Sequence, residues 1–185
     1  AATGIAGAGV VGWKDDQAVL PLLLAGAGIL ASIMGTFIVR AGEQADFGQL
    51  LWALRRGIFA AAIFLAIFAL IIILVMDLEW DWLWSIYLGL SAGIVIGLST
   101  EYYTSYDYKP VKEVAENSQT GAATVMISGL AVGMISTVIP LIAIGITIIA
   151  AFEFAGFYGV ALAGVGLLST LGITLATDAY GPVAD

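Results

Sequence analysis

Charged residues along this chain fall in clusters, and long uncharged stretches run between the clusters. Five such stretches stand out: 17–39, 57–76, 82–100, 117–152 and 154–177. A charge at the centre of a bilayer costs several kcal/mol, so uncharged stretches locate candidate spans. Each holds about 20 residues or more, the length that a hydrocarbon core of roughly 30 Å requires of a helix. A membrane strand would need only about 9–11 residues and would alternate polar with apolar positions. No such alternation occurs, and the segment AAIFLAIFALIIILVM (61–76) is apolar on every face.

The pattern predicts an all-α, polytopic transmembrane bundle. One membrane segment covers 1–185, with spans at about 17–39, 54–76, 82–104, 122–151 and 154–180. The 117–152 stretch exceeds one span. Its small, polar opening NSQTGAAT reads as the water-exposed start of a helix, and Pro140 is expected to kink the apolar part. Residues 1–13 are too short to span and lack the basic start of a signal peptide. They read as the tail of a preceding helix, and the whole sequence as an internal piece of a longer protein.

Orientation follows from Lys and Arg. Arg40, Arg55, Arg56, Lys109 and Lys112 fall in the 40–56 and 105–116 loops, on one side, and only Lys14 falls on the other. That bias assigns those loops and the C-terminal end to the cytoplasm, in a multi-pass protein of the cell membrane. The opposite side carries Asp77, Glu79, Asp81 and Glu153, with Trp80, Trp82 and Trp84 as an interfacial belt.

Small residues recur at four-residue spacing: Gly89, Gly93 and Gly97 on the third span, Gly129 and Gly133 on the fourth. Gly156, Gly159, Ala163 and Gly166 form a looser row on the fifth. Such rows let helix backbones approach closely in lipid. They mark either a tight bundle around a site or the ordinary packing of any multi-span protein. The first two spans have bulkier faces and are placed toward lipid or a partner subunit.

Composition narrows the chemistry. The chain is 61% hydrophobic and 11% charged, where soluble domains are roughly 45–50% and about 25%. Lys and Arg number 6 against 14 Asp and Glu, so there is no basic footprint for nucleic acid. With no Cys and no His, thiol catalysis, disulfides, common zinc sites and a Ser-His-Asp triad are excluded. Neither GxxxxGK[ST] nor a post-strand GxGxxG is present, and Gly26-Ala27-Gly28 is a packing feature.

Chemistry is left to carboxylates. Glu101 opens Glu101-Tyr102-Tyr103-Thr104-Ser105 at the cytoplasmic end of the third span. It can bind a cation or take up a proton, or be an interfacial charge beside aromatic rings. Asp178 and Asp185 lie seven residues apart, on one helical face and about 10 Å apart along the axis. They suit Mg²⁺ shared with substrate phosphates, or are solvated acids at the end of a span.

Several strings together resemble the membrane-embedded, ion-pumping inorganic pyrophosphatases. These are Thr100-Glu101-Tyr102-Tyr103-Thr104-Ser105, Tyr108-Lys109-Pro110, Thr120-Gly121-Ala122-Ala123-Thr124 and, most specific, Asp178-Ala179-Tyr180-Gly181-Pro182-Val183-Ala184-Asp185. The resemblance covers roughly 17–185. It implies a homodimeric pump of about sixteen helices per subunit, of which this chain is a middle segment. Such a pump hydrolyses pyrophosphate with Mg²⁺ at the cytoplasmic side, with K⁺ as a further possible cofactor, and moves H⁺ or Na⁺ outward. By resemblance Asp185 is a ligand of the Mg²⁺–pyrophosphate complex, Asp178 supports the hydrolytic centre, and Glu101 couples hydrolysis to transport. The family's main acidic motif, of DxxxxxxxKxE pattern, is absent, and the Thr124-Val125-Met126 step departs from the family's asparagine-containing version. The segment alone is therefore expected to be inactive. A secondary transporter or a non-catalytic multi-span scaffold is the competing class; a transporter would show a second, inverted copy of a broken helix.

Overall fold

The computed structural model describes residues 15–39 and 47–175. Among the described residues there are helices and turns and no strand. The helices are α1 (Asp15–Thr36), α2 (Phe47–Val75), α3 (Trp80–Thr104), α4 (Lys109–Asn117), α5 (Ala122–Ser136) and α6 (Val138–Leu168). Four apolar stretches are long enough to cross a membrane: Ala18–Thr36, Trp52–Val75, Trp80–Asn117 and Ala122–Leu175. The last has 54 residues. As a straight helix it would reach about 80 Å, far beyond one bilayer.

That stretch is divided by backbone geometry. At Ala155 (φ −141°, ψ 24°) and Gly156 (φ 59°, ψ −147°) the chain leaves helical geometry inside α6. Gly156 suits the place because positive φ costs glycine nothing. Beyond it, a Cβ on Gly159 would collide with the carbonyl oxygen of Ala151. Residues eight apart on a continuous helix are about 12 Å apart along the axis, so the chain turns back here. The turn falls two residues beyond Glu153, the charge that separates the two stretches in the sequence. A second break, between α5 and α6, falls at Thr137 rather than at Pro140. Pro140 has no N–H for the Ser136 carbonyl, so the discontinuity appears a turn earlier. There Thr137 Oγ1 donates to the Met134 carbonyl (2.8 Å).

The described contacts gather into two compact units, 1–93 with 147–185, and 94–146. In the first, α2 buries one ridge at four-residue spacing: Ala53, Gly57, Ala61, Leu65, Ala69 and Ile73. Ile63, Ile67, Ile71 and Leu74 remain exposed on the other faces. A helix that is apolar all round can bury one face in protein and give the rest to lipid. α1 and α2 meet at glycines: a Cβ on Gly35 would lie 2.9 Å from the Gly57 carbonyl oxygen and 2.9 Å from the Ala61 methyl. The two helices expected to show smooth faces to lipid thus form a close pair.

Between α2 and α3 the chain turns in four residues. Asp77 takes φ 50° and the Leu78 N–H bonds the Ile73 carbonyl (3.0 Å). This is a Schellman ending with Asp in the left-handed position, which its short polar side chain tolerates. Leu20, Leu24, Ala69, Ile73, Trp82, Leu83, Ile86 and Leu162 make the core at that end of the unit.

α3 and the second arm of α6 (157–168) run parallel, in a fixed register. Trp82 meets Tyr158 edge to face (5.1 Å between ring centroids). A Cβ on Gly159 would lie 2.9 Å from Ser85 Oγ, one on Gly93 would lie 3.0 Å from the Leu167 carbonyl oxygen, and Gly89 abuts Ala163. Thus Gly89, Gly93, Gly159 and Gly166 make close contacts, whereas Gly97, Gly129 and Gly133 meet nothing within 4 Å.

Candidate functional site

Glu101 lies in the last turn of α3, half-buried. Its backbone carbonyl accepts the Ser105 N–H (2.9 Å), extending the helical ladder into the following turn. Thr100 Oγ1 and Thr104 Oγ1 donate to the carbonyls of Ile96 (2.9 Å) and Thr100 (2.8 Å), so both hydroxyls return to their own helix. Three tyrosines cluster at this end of α3. The Tyr102 ring meets Tyr103 at 5.1 Å and Tyr108 at 5.0 Å. Tyr108 is extended (φ −98°, ψ 156°) and caps α4, where Pro110 occupies the first turn. Extended geometry is usual for the residue that caps a helix N-terminus, and the first turn needs no proline N–H.

α4 and α5 form a helical hairpin. Asn117 Nδ2 donates to Ser128 Oγ (3.0 Å), tying the end of α4 to the second turn of α5. Thr120 Oγ1 donates to the Asn117 carbonyl (2.7 Å) and sits 2.6 Å from Thr124 Oγ1. Gly121, at φ 132° and ψ 164°, leads into α5. Only glycine enters that region readily. The Thr-Gly-Ala-Ala-Thr string is therefore a hinge between two helices whose hydroxyls are spent on local bonds. Asn117 and Ser128 carry no motif; the eleven-residue spacing between them means nothing until the hairpin folds.

Asp178 and Asp185 lie outside the described residues. What leads toward them is described: 171–175 is one more helical turn, with Thr170 and Ile173 buried. Among the described residues no three acidic side chains gather as a metal centre needs.

The family model for inorganic H⁺ pyrophosphatase matches residues 1–185. The chain belongs to this family. A Bacteroides thetaiotaomicron relative, by its name a K⁺-stimulated pyrophosphate-energized sodium pump, is 46% identical over 90% of this chain and 24% of its own length. The K⁺-insensitive pyrophosphate-energized proton pump 2 of Moorella thermoacetica is 42% identical, over 90% of this chain and 26% of its own. A K⁺-insensitive proton pump of Methanosarcina mazei is 33% identical, over 95% and 27%. The chain spans about a quarter of the length of these curated relatives. The segment thus resembles a relative named for sodium at 46% identity and relatives named for protons at 42% and 33%.

Proposed function

We propose that this chain is a middle segment of a pyrophosphate-energised pump. In that reading the parent protein hydrolyses pyrophosphate on the cytoplasmic side of the cell membrane and drives H⁺ or Na⁺ outward. The observation that carries the proposal is the match of the whole segment to one family whose relatives are named for that activity. The segments 40–56 and 105–116, which hold the start of α2 and most of α4, and the C-terminal end face the cytoplasm, on the bias of Lys and Arg. The parent is a homodimer in the lipid bilayer, by the resemblance, and K⁺ is a second cation to test.

Asp185 is proposed as a ligand of Mg²⁺ and pyrophosphate, Asp178 as its support, and Glu101 as a coupling group. Bound Mg²⁺ would neutralise charge on the phosphates and polarise them. Within the first compact unit, α3 is held against residues 157–168 of α6. Their glycine contacts join backbone to backbone, which leaves little freedom for sliding.

The test uses the full-length parent in sealed inverted vesicles, with phosphate release and ion uptake measured together. Uptake that needs pyrophosphate and collapses with an ionophore supports the pump. Folded protein that releases no phosphate with Mg²⁺ and pyrophosphate overturns it. Asp185→Ala is expected to abolish hydrolysis, and near-normal turnover in that variant removes the ligand role.

A further inference from the structure

Apart from its buried ridge, α2 carries an exposed stripe. Trp52, Arg56, Phe59, Ile63, Ile67 and Leu74 are all exposed, and steps of three, four or seven residues set them on one helical face. Trp52 is 59% exposed and Ile63 60%. Membrane helices that receive one another offer small residues. The small residues Ala53, Gly57 and Ala61 lie on the buried ridge instead, and the stripe holds none.

The stripe has a charged end. The apolar stretch of α2 begins at Trp52, and Arg56 lies one turn inside it, about 6 Å deeper. An arginine at that depth is costly unless its head returns to the interface. Helical side chains lean toward the N-terminus, and the Arg56 guanidinium lies over the Trp52 ring, 5.6 Å from its centroid. Tryptophan favours the headgroup level, so the stack holds the positive charge among headgroups. Stacking occupies a face of the planar guanidinium and leaves the N–H groups at its edge, which match the oxygens of a phosphate. Phe59 and Ile63 follow about 5 and 10 Å deeper, within the roughly 15 Å of one leaflet.

We infer that an anionic phospholipid of the cytoplasmic leaflet binds along this face, its phosphate at Arg56 and its acyl chains against Phe59 and Ile63. A zwitterionic headgroup carries its own cation beside the phosphate, so a net-negative one complements Arg56 better. This rests on the reading of the chain as a pump segment whose 40–56 stretch is cytoplasmic. The readout is a lipid adduct, so its failure is distinct from any failure of hydrolysis. The full-length protein, with a diazirine-bearing phenylalanine analogue in place of Phe59, is reconstituted in vesicles of equal parts phosphatidylglycerol and phosphatidylcholine with the same acyl chains. After photolysis the adducts are weighed by mass spectrometry. Phosphatidylglycerol adducts are expected to exceed phosphatidylcholine adducts about fivefold, the effect of one basic side chain near an anionic headgroup. Equal adducts of the two lipids, or a cross-link to this polypeptide or to a second copy, overturn the inference. Both are read with Arg56 in place. Arg56→Gln is expected to bring the ratio close to one, while Lys112→Gln, at an exposed position of α4, leaves it unchanged. An unchanged ratio in Arg56→Gln, or an equal fall in both variants, removes Arg56 as the headgroup site.

Discussion

Gly89 of α3 and Ala163 of α6 meet backbone to backbone: a Cβ on the glycine would overlap the alanine carbonyl. Four residues on, the Gly93–Leu167 contact repeats the relationship. Side chains at such a junction cannot swing aside, because what they would meet is main chain.

Gly89→Ala therefore forces the two helices apart. Overfilling a well-packed site costs about 1–3 kcal/mol, and displaced backbone lies at the upper end. The full-length protein in detergent should show a clearly lower thermal midpoint. Gly97→Ala is the matched control on the same helix, since nothing lies within 4 Å of a Cβ there. Equal effects at both positions would show that the junction is not rigid.

Gly121→Ala should loosen the α4–α5 hairpin. Gly121 holds φ 132°, and a side chain in such a region costs about 1–3 kcal/mol. Gly129→Ala, in open helical surroundings, should be close to neutral. Limited proteolysis within residues 105–121 reads the difference: faster cutting for Gly121→Ala alone is expected, and equal rates would refute the conformational argument.

The Asn117–Ser128 hydrogen bond lends itself to a double-mutant cycle. Asn117→Ala and Ser128→Ala should each destabilise by about 0.5–1.5 kcal/mol. The double variant should cost less than the sum, because the second change removes a bond already lost. Strict additivity in denaturation midpoints would mean the pair is not coupled.

The long helices were legible in the sequence because lipid enforces them. Wherever charges are absent for about 20 residues, the backbone must satisfy itself. α4 was not legible. Lys109, Lys112, Glu113 and Glu116 make it look like a loop, and its nine residues are too few for a periodic signal. α2 likewise begins at Phe47, so Arg55 and Arg56, expected at a loop's edge, sit inside a helix with Arg56 over the Trp52 ring (5.6 Å). The glycine rows could be seen but not sorted. Gly93 and Gly97 are identical in sequence terms, yet only Gly93 faces a neighbouring backbone. Glu101 is a parallel case. Its local surroundings suit a coupling group and an interfacial charge equally, and only the family resemblance tips the reading. Asp178 and Asp185 rest on resemblance alone, since two acids at a span's end fit several chemistries.

Glu101→Gln is the variant that separates coupling from hydrolysis. The change keeps the shape and some hydrogen bonding while removing the negative charge, so the end of α3 should fold as before. Tyr102 and Tyr108 pack ring against ring there, 5.0 Å between centroids. If Glu101 couples hydrolysis to transport, losing its charge should lower ion uptake per pyrophosphate hydrolysed more than it lowers hydrolysis. The ratio of uptake to phosphate release in inverted vesicles is the quantity to measure, since it is independent of how much protein each preparation contains. A reduced ratio is expected. Parallel loss of both activities, leaving the ratio intact, would make Glu101 a structural residue at the helix end rather than a coupling group.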